Sequence, residues 1–315
     1  MKRNLFIIFL IILSAIFVIF LLNNWRKNNG IDNPDNYLEG PASKKVIAKN
    51  FKTKDPVDPN ASRDAKKILK YFYELSLNQN ENRVVIGQNI GSASNIDYKI
   101  SEPFVGNQNY FVGLGQKTGK LPALMGVDYG WEDIDAEKIA KTNKLLIDHW
   151  KKGGLIEVSF SPTNPWTERG LRDFGTGDYD YDAIFTFGSE PNKKWVSDLD
   201  NVAEGLAQLQ KEGVVVLWRP LHEMNGDWFW WSYDKNGRVS QDEYVKLWRQ
   251  MFDYFTKEKG LYNLLWVYSP SATIGNNLIK PPQYYYPGDE YVDILGLDYY
   301  WDDFNSLNKG GDYDD

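Results

Sequence analysis

No cysteine occurs anywhere in the 315 residues. That absence excludes disulfide bonds, thiolate nucleophiles and zinc held by cysteine. Histidine is almost as scarce: His149 and His222 are the only two, so a multi-histidine metal centre is excluded as well. His149 lies in a helical pattern, where a lone histidine is more often structural than functional. Basic charge is also lacking. Lys and Arg number 36 against 43 Asp and Glu, a net charge of −7, and no basic stripe is present to neutralise phosphates, which argues against a nucleic-acid partner. There is no G-x-S-x-G elbow for a serine hydrolase. His222-Glu223 begins like a zinc-protease signature, but the second histidine it needs falls on Gly226. No metal or cofactor is called for.

What the chain has in abundance is aromatic side chains, with 12 Trp, 20 Tyr and 16 Phe. It also has one long apolar run. Lys2 and Arg3 precede an uninterrupted stretch over 5–22, LFIIFLIILSAIFVIFLL, which as a helix spans about 27 Å, close to the hydrocarbon thickness of a bilayer. A secretory signal has a shorter apolar core and a small-x-small cleavage site. The run ends instead in NNWRKNNG. It predicts an uncleaved signal anchor over 1–23, with Trp25 at the interface and the rest of the chain extracytoplasmic on a single-pass membrane protein. Secretion after signal cleavage is the alternative. Residues 24–60 are polar, rich in Asn, Asp, Lys and Pro, and without apolar periodicity, as in a flexible linker.

From residue 61 to 315 the pattern alternates. ASRDAKKILKYFYELSLNQ predicts an amphipathic helix capped by Ser62, DAEKIAKTNKLLIDHWKKGG a helix closed by Gly153, and WVSDLDNVAEGLAQLQKEG and DEYVKLWRQMFDYFTKEKG two more. Between them lie six apolar runs, at 83–87, 123–129, 155–160, 214–218, 264–269 and 294–300. They are near-continuous rather than alternating, as in strands covered by helices, and repeated strand–helix units imply a parallel sheet. Polar residues gather at the C-terminal ends of the strands: Asp128, Ser161, Glu223 and Asp298. In a (β/α)₈ TIM barrel that end carries the chemistry. A doubly wound sheet would want a Gly-rich phosphate loop after an early strand. VGLGQKTGK is only a weak match, and it follows no clear strand. Six readable strands are two short of a barrel. The domain is therefore expected to be incomplete at its C-terminal end.

The fourth strand leads into VVVLWRPLHEMNGDWFWWSYD. Glu223 would sit at the rim of a cleft, with Arg219 and His222 beside it and an aromatic wall after it. Indoles above a carboxyl lower the local dielectric and favour its protonated form. Such an acid can give its proton to a leaving oxygen, and aromatic faces stack on sugar rings, so the combination suggests glycoside hydrolysis. The plainer alternative pairs Arg219 with Glu223 as a structural ion pair and buries the aromatics. Four aromatics in succession beside Asn and Gly fit a loop better than a core element. SYDKNGRVSQDE, over 232–243, has calcium-loop spacing, but its first ligand position is Ser and no paired loop exists. It reads more simply as a turn followed by a Ser240–Glu243 capping box.

WRPLHEMNGDWFWW resembles the acid/base motif of glycoside hydrolase family 26, the β-mannanase family, a clan-A family. The resemblance extends through LPALMGVDYGW, GGLIEVSFSPTNPW, NLLWVYSPS and YVDILGLDYY. It implies a (β/α)₈ barrel and a retaining endo-β-glycosidase acting on mannan or a related β-glycan. Glu223 is implied as proton donor and general base, His222 as an orienting residue for the two catalytic carboxylates, and Arg219 as their support. Trp228, Asp298, Tyr300, Trp166 and Asp128 are implied as substrate-binding residues. Where the family often carries Trp-His, this chain has Phe160-Ser161, which removes one expected sugar contact. The family nucleophile is a Glu at the end of strand seven, and no residue here is assigned that role. These 315 residues alone are expected to turn over little or no substrate. A membrane-tethered polysaccharide-binding protein without activity is the alternative of a different class, and a hydrolase of another β-glucan or exopolysaccharide a further one.

Overall fold

Six parallel strands form one sheet in chain order. They are β1 (Gly87–Ser92), β2 (Leu124–Asp128), β3 (Leu155–Phe160), β4 (Val216–Pro220), β5 (Leu264–Tyr268) and β6 (Ile294–Leu295). The computed structural model describes residues 55–77, 84–93, 108–131, 134–173, 179–232, 239–272 and 280–299. The predicted anchor, most of the linker and Tyr300 lie outside the described residues, among which no helix is long and apolar enough to cross a membrane.

Helix α1 (Arg63–Leu77) precedes β1 and α2 (Gln108–Thr118) follows it. Helix α3 (Ala136–Lys151) follows β2, α4 (Asp182–Phe185) and α5 (Glu190–Lys211) follow β3, and α6 (Gln241–Asp253) follows β4, prolonged by a π-helical turn at Tyr254–Glu258. Strands in sequential order, joined by helices from β1 to β5, are wound as in a (β/α)₈ barrel; a doubly wound sheet reverses its order midway. Local chemistry sets the helix ends. Ser62 Oγ accepts from Ala65 N at 3.0 Å, Asp135 caps α3 and Ser189 caps α5. The Ser240–Glu243 capping box opens α6 with both of its hydrogen bonds made. Glu243 is thereby committed to the helix start, and the calcium spacing has no support among the described residues.

One strand boundary needs correction. The first strand begins at Gly87, not 83, because the residue that enters the core is Ile90, while Val84 and Ile86 stay exposed. Asn89 Oδ1 accepts from Gly91 N at 2.6 Å, and the pairing with β2 shifts register between Asn89 and Ser92. VGLGQKTGK is helical over most of its length, within α2, and forms no phosphate loop.

The alternation hidden in the apolar runs positions the site. Along β4, Val214, Val216 and Trp218 face the helices, in one core with Ile156, Val158 and Phe160 of β3 and with Trp195, Leu199, Leu206, Trp248 and Met251 of α5 and α6. Val215 and Leu217 face the other way. With Leu265, Val267 and Ile294 they meet Ala65, Ile68, Leu69 and Phe72 of α1. The next inward positions are polar: Glu157 and Ser159 on β3, Arg219 on β4, Ser269 after β5. Strand pairing sets Asp128 beside Ser159 and Ser159 beside Arg219. The inner face thus changes from apolar to polar towards the C-terminal ends of the strands.

Candidate active site

After Pro220 the chain takes an unusual path. Leu221 and Glu223 have φ of 48° and 54°, a left-handed conformation that persists in non-glycine residues only where the surroundings over-determine it. Here they do. Leu221 N donates to Phe160 O at 3.0 Å, and Glu223 N donates to Ser269 O at 2.8 Å. Tyr244 on α6 donates its hydroxyl to Leu221 O at 3.1 Å. The hook carries Glu223 inward at the end of β4 with only 6% of its surface exposed.

The aromatic residues that follow divide into two roles. Trp228 is half-buried and donates its indole N–H to Glu223 Oε2 at 2.7 Å. Gly226 makes this possible, since a Cβ there would lie 2.5 Å from the Trp228 ring. Phe229, Trp230 and Trp231 do not line a cleft. They belong to irregular backbone, as expected of a loop, yet all three are buried. Each buried indole N–H needs an acceptor: Trp230 finds Pro162 O and Trp231 finds His222 O, both at 2.9 Å. Tyr181 closes the loop by donating to Trp230 O. The wall is therefore a core that fixes the backbone of His222 and Glu223.

Arg219 does not pair with Glu223. Its Nε donates to Glu157 at 2.9 Å and its Nη1 to Asp298 at 2.9 and 3.2 Å. Ser269 Oγ donates to Asp298 Oδ1 at 2.9 Å. Burial pushes the carboxyls of Glu157 and Asp298 above their ordinary range, against the opposing pull of Arg219. His222 is 6% exposed, edge-on to Phe229 and Trp231. Burial, and secondarily the Arg219 charge, holds its pKa well below the usual imidazole range, so the ring is neutral near pH 7. Its Nδ1 has no hydrogen-bond partner among the described residues.

Asp128 is buried and its carboxylate is well supplied with donors: Ser159 Oγ at 2.7 Å, Ser161 Oγ at 2.6 Å and Gly130 N at 2.6 Å. Trp166 is stacked on Tyr179 with centroids 4.9 Å apart and packed against Tyr181 and Trp230. The structure thus brings Glu223, His222, Arg219, Trp228, Asp298 and Asp128 to one end of the sheet. Glu157, Ser269 and Trp131 were not singled out from the sequence. Glu157 had a signal, a lone charge in an apolar strand that requires a partner. Trp131 follows β2, 43% exposed, with φ 75° and its ring 6.4 Å from Phe229. His149, as expected, is structural: Nε2 donates to Ala123 O at 3.1 Å, with Phe111 edge-on to the ring.

Four similarities to known proteins bear on this geometry. A mannan endo-1,4-beta-mannosidase from Bacillus subtilis is 38% identical over 256 residues, 79% of this chain and 67% of that protein. A second, from B. subtilis strain 168, is 35% identical over 273 residues, 84% of this chain and 71% of that one. The solved structure of B. subtilis mannanase man26 superposes with a TM-score of 0.68 at 32% identity, over 82% of this chain and 78% of that chain. The sequence model of glycosyl hydrolase family 26 matches residues 57–314. The acid-bearing end of this parallel sheet is thus part of a fold shared with mannanases, and the chain belongs to glycosyl hydrolase family 26 as a glycoside hydrolase.

Proposed function

We propose that the chain is a retaining endo-1,4-β-mannanase with Glu223 as its acid/base. The observation that carries this reading is the 2.7 Å hydrogen bond from Trp228 to Glu223 Oε2, on a backbone hook at the end of β4. Because an N–H already donates to Oε2, the acidic proton belongs on Oε1. In the first step that proton passes to the glycosidic oxygen as the bond to the anomeric carbon breaks and a carboxylate nucleophile bonds to that carbon. In the second step Glu223, now ionised, takes a proton from water as its oxygen displaces the nucleophile. Trp228 and Trp131 offer aromatic surface to the sugar, and Asp298, held by Arg219 and Ser269, offers an acceptor to its hydroxyls. Neutral His222 has one ring N–H, which it can donate to one of the carboxylates it would orient.

Among the described residues we assign no nucleophile. Asp128 is engaged by two serine hydroxyls, and Glu157 and Asp298 by Arg219. A polysaccharide binder without turnover is the alternative reading, and the assay separates the two. We further propose that residues 1–23 anchor the protein in the membrane, with 24–60 as a tether and the catalytic domain extracytoplasmic. The test is reducing-sugar release from mannan, glucomannan, xylan and mixed-linkage glucan by the complete gene product. Release from mannan and glucomannan is expected. Binding of mannan without release would select the binder, and preferential release from another polysaccharide would overturn the mannanase reading.

A further inference from the structure

We propose that Asn225 is a positioning residue for Glu223. Glu223, in its left-handed conformation, donates its N–H to Ser269 O at 2.8 Å. The next contact, two residues on along both chains, is made by a side chain. Asn225 is fully buried. Its Oδ1 accepts from Ser271 N at 2.7 Å, and its Nδ2 donates to Ser271 O at 2.9 Å. The amide therefore meets Ser271 as the main chain of a neighbouring strand would, donating to its carbonyl and accepting from its N–H.

The second Nδ2 proton donates to Lys280 O at 3.0 Å, and Lys280 N donates back to Asn225 O at 2.9 Å. One side chain thus joins the segment that carries the acid to both arms of the loop after β5. A shorter side chain would lose its hydrogen bonds to buried Ser271 on one arm and to half-buried Lys280 on the other. Its consequence for Glu223 is positional. The carboxyl sits two residues from the clamp, and proton transfer to a leaving oxygen requires hydrogen-bond reach.

The inference rests on Glu223 being the acid/base, and the experiment separates the two. kcat/KM is measured for the complete gene product on mannan and on a dinitrophenyl β-mannobioside. Dinitrophenolate departs without protonation, whereas a sugar alkoxide needs the proton, so the ratio of the two values reports proton donation. Partial unfolding lowers both values equally and leaves the ratio unmoved. Asn225→Ala, with Asn225→Ser as a milder variant, is expected to lower the mannan-to-aryl ratio about tenfold, and Glu223→Gln about a hundredfold or more. If Glu223→Gln shifts the ratio and both Asn225 variants leave it unchanged, the positioning role is overturned alone. A ratio unmoved in Glu223→Gln, or a wild-type protein inactive on both substrates, overturns the acid/base reading and the positioning role with it.

Discussion

Gly226 and His222 carry the clearest consequences at the scale of single residues. A methyl group at 226 would sit 2.5 Å from the Trp228 ring, so Gly226→Ala must push the indole away from Glu223. Overpacking of this kind costs about 1–3 kcal/mol, and the loss of the Trp228 bond is expected to lower kcat on mannan about tenfold. A variant of unchanged kcat would show that the indole does not hold the acid. His222 is buried beside Arg219, and both burial and that charge disfavour its protonated form. A histidine in water is half-protonated near pH 6.5. The His222 imidazole is expected to remain neutral at pH 6 by nitrogen NMR, and an imidazolium signal there would contradict the account.

At the scale of elements, Arg219 joins three strands by holding Glu157 of β3 and Asp298 beyond β6 from its place on β4. Removing it would leave two half-buried carboxyls without their shared cation. Arg219→Met is expected to cost about 3–5 kcal/mol in urea unfolding. A loss below about 1 kcal/mol would mean that solvent screens the trio. This trio also marks how far the sequence is legible. Helix caps at Ser62 and Ser240 depend on residues three positions apart and were readable. So was the collection of Asp128, Ser161, Glu223 and Asp298 at strand ends, since each ends its own apolar run. The partner of Arg219 was not readable, because it depends on strand register and not on spacing along the chain. The fates of Phe229, Trp230 and Trp231 were hidden for a related reason: their cover comes from the loop after β3 and from α5, far away in sequence. β1 was misplaced because Val84 and Ile86 carry the apolar signal, while Ile90 among polar neighbours is the residue that packs.

Across the whole molecule, acid sensitivity follows from its two histidines. Burial lowers the pKa of His149, against the opposing effect of its bond to Ala123 O, and burial lowers that of His222 further. A folded-state pKa below the unfolded one means that the unfolded chain binds more protons between the two values. Stability contributed by these groups is therefore whole above about pH 6.5 and falls as the pH drops through that window, by at most about 1.4 kcal/mol per pH unit for each histidine. Glu157 and Asp298, whose pKa values are raised by burial, act in the opposite sense: their contribution is whole below the ordinary carboxyl range and lost as the pH rises through their folded values. A variant isolates the histidine contribution. The change in urea midpoint between pH 5 and pH 7 should shift in His149→Gln towards less stabilisation at the higher pH, and an unaltered change would contradict the burial of a neutral ring.

The central claim, that the β4 hook presents Glu223 as the acid that cleaves a mannan chain, meets its most direct test in one comparison. Mannan hydrolysis by the complete gene product should fall by about 10²–10⁴-fold in Glu223→Gln, with mannan binding and thermal stability retained. Hydrolysis at an unaltered rate would contradict the account and move the acid to another residue.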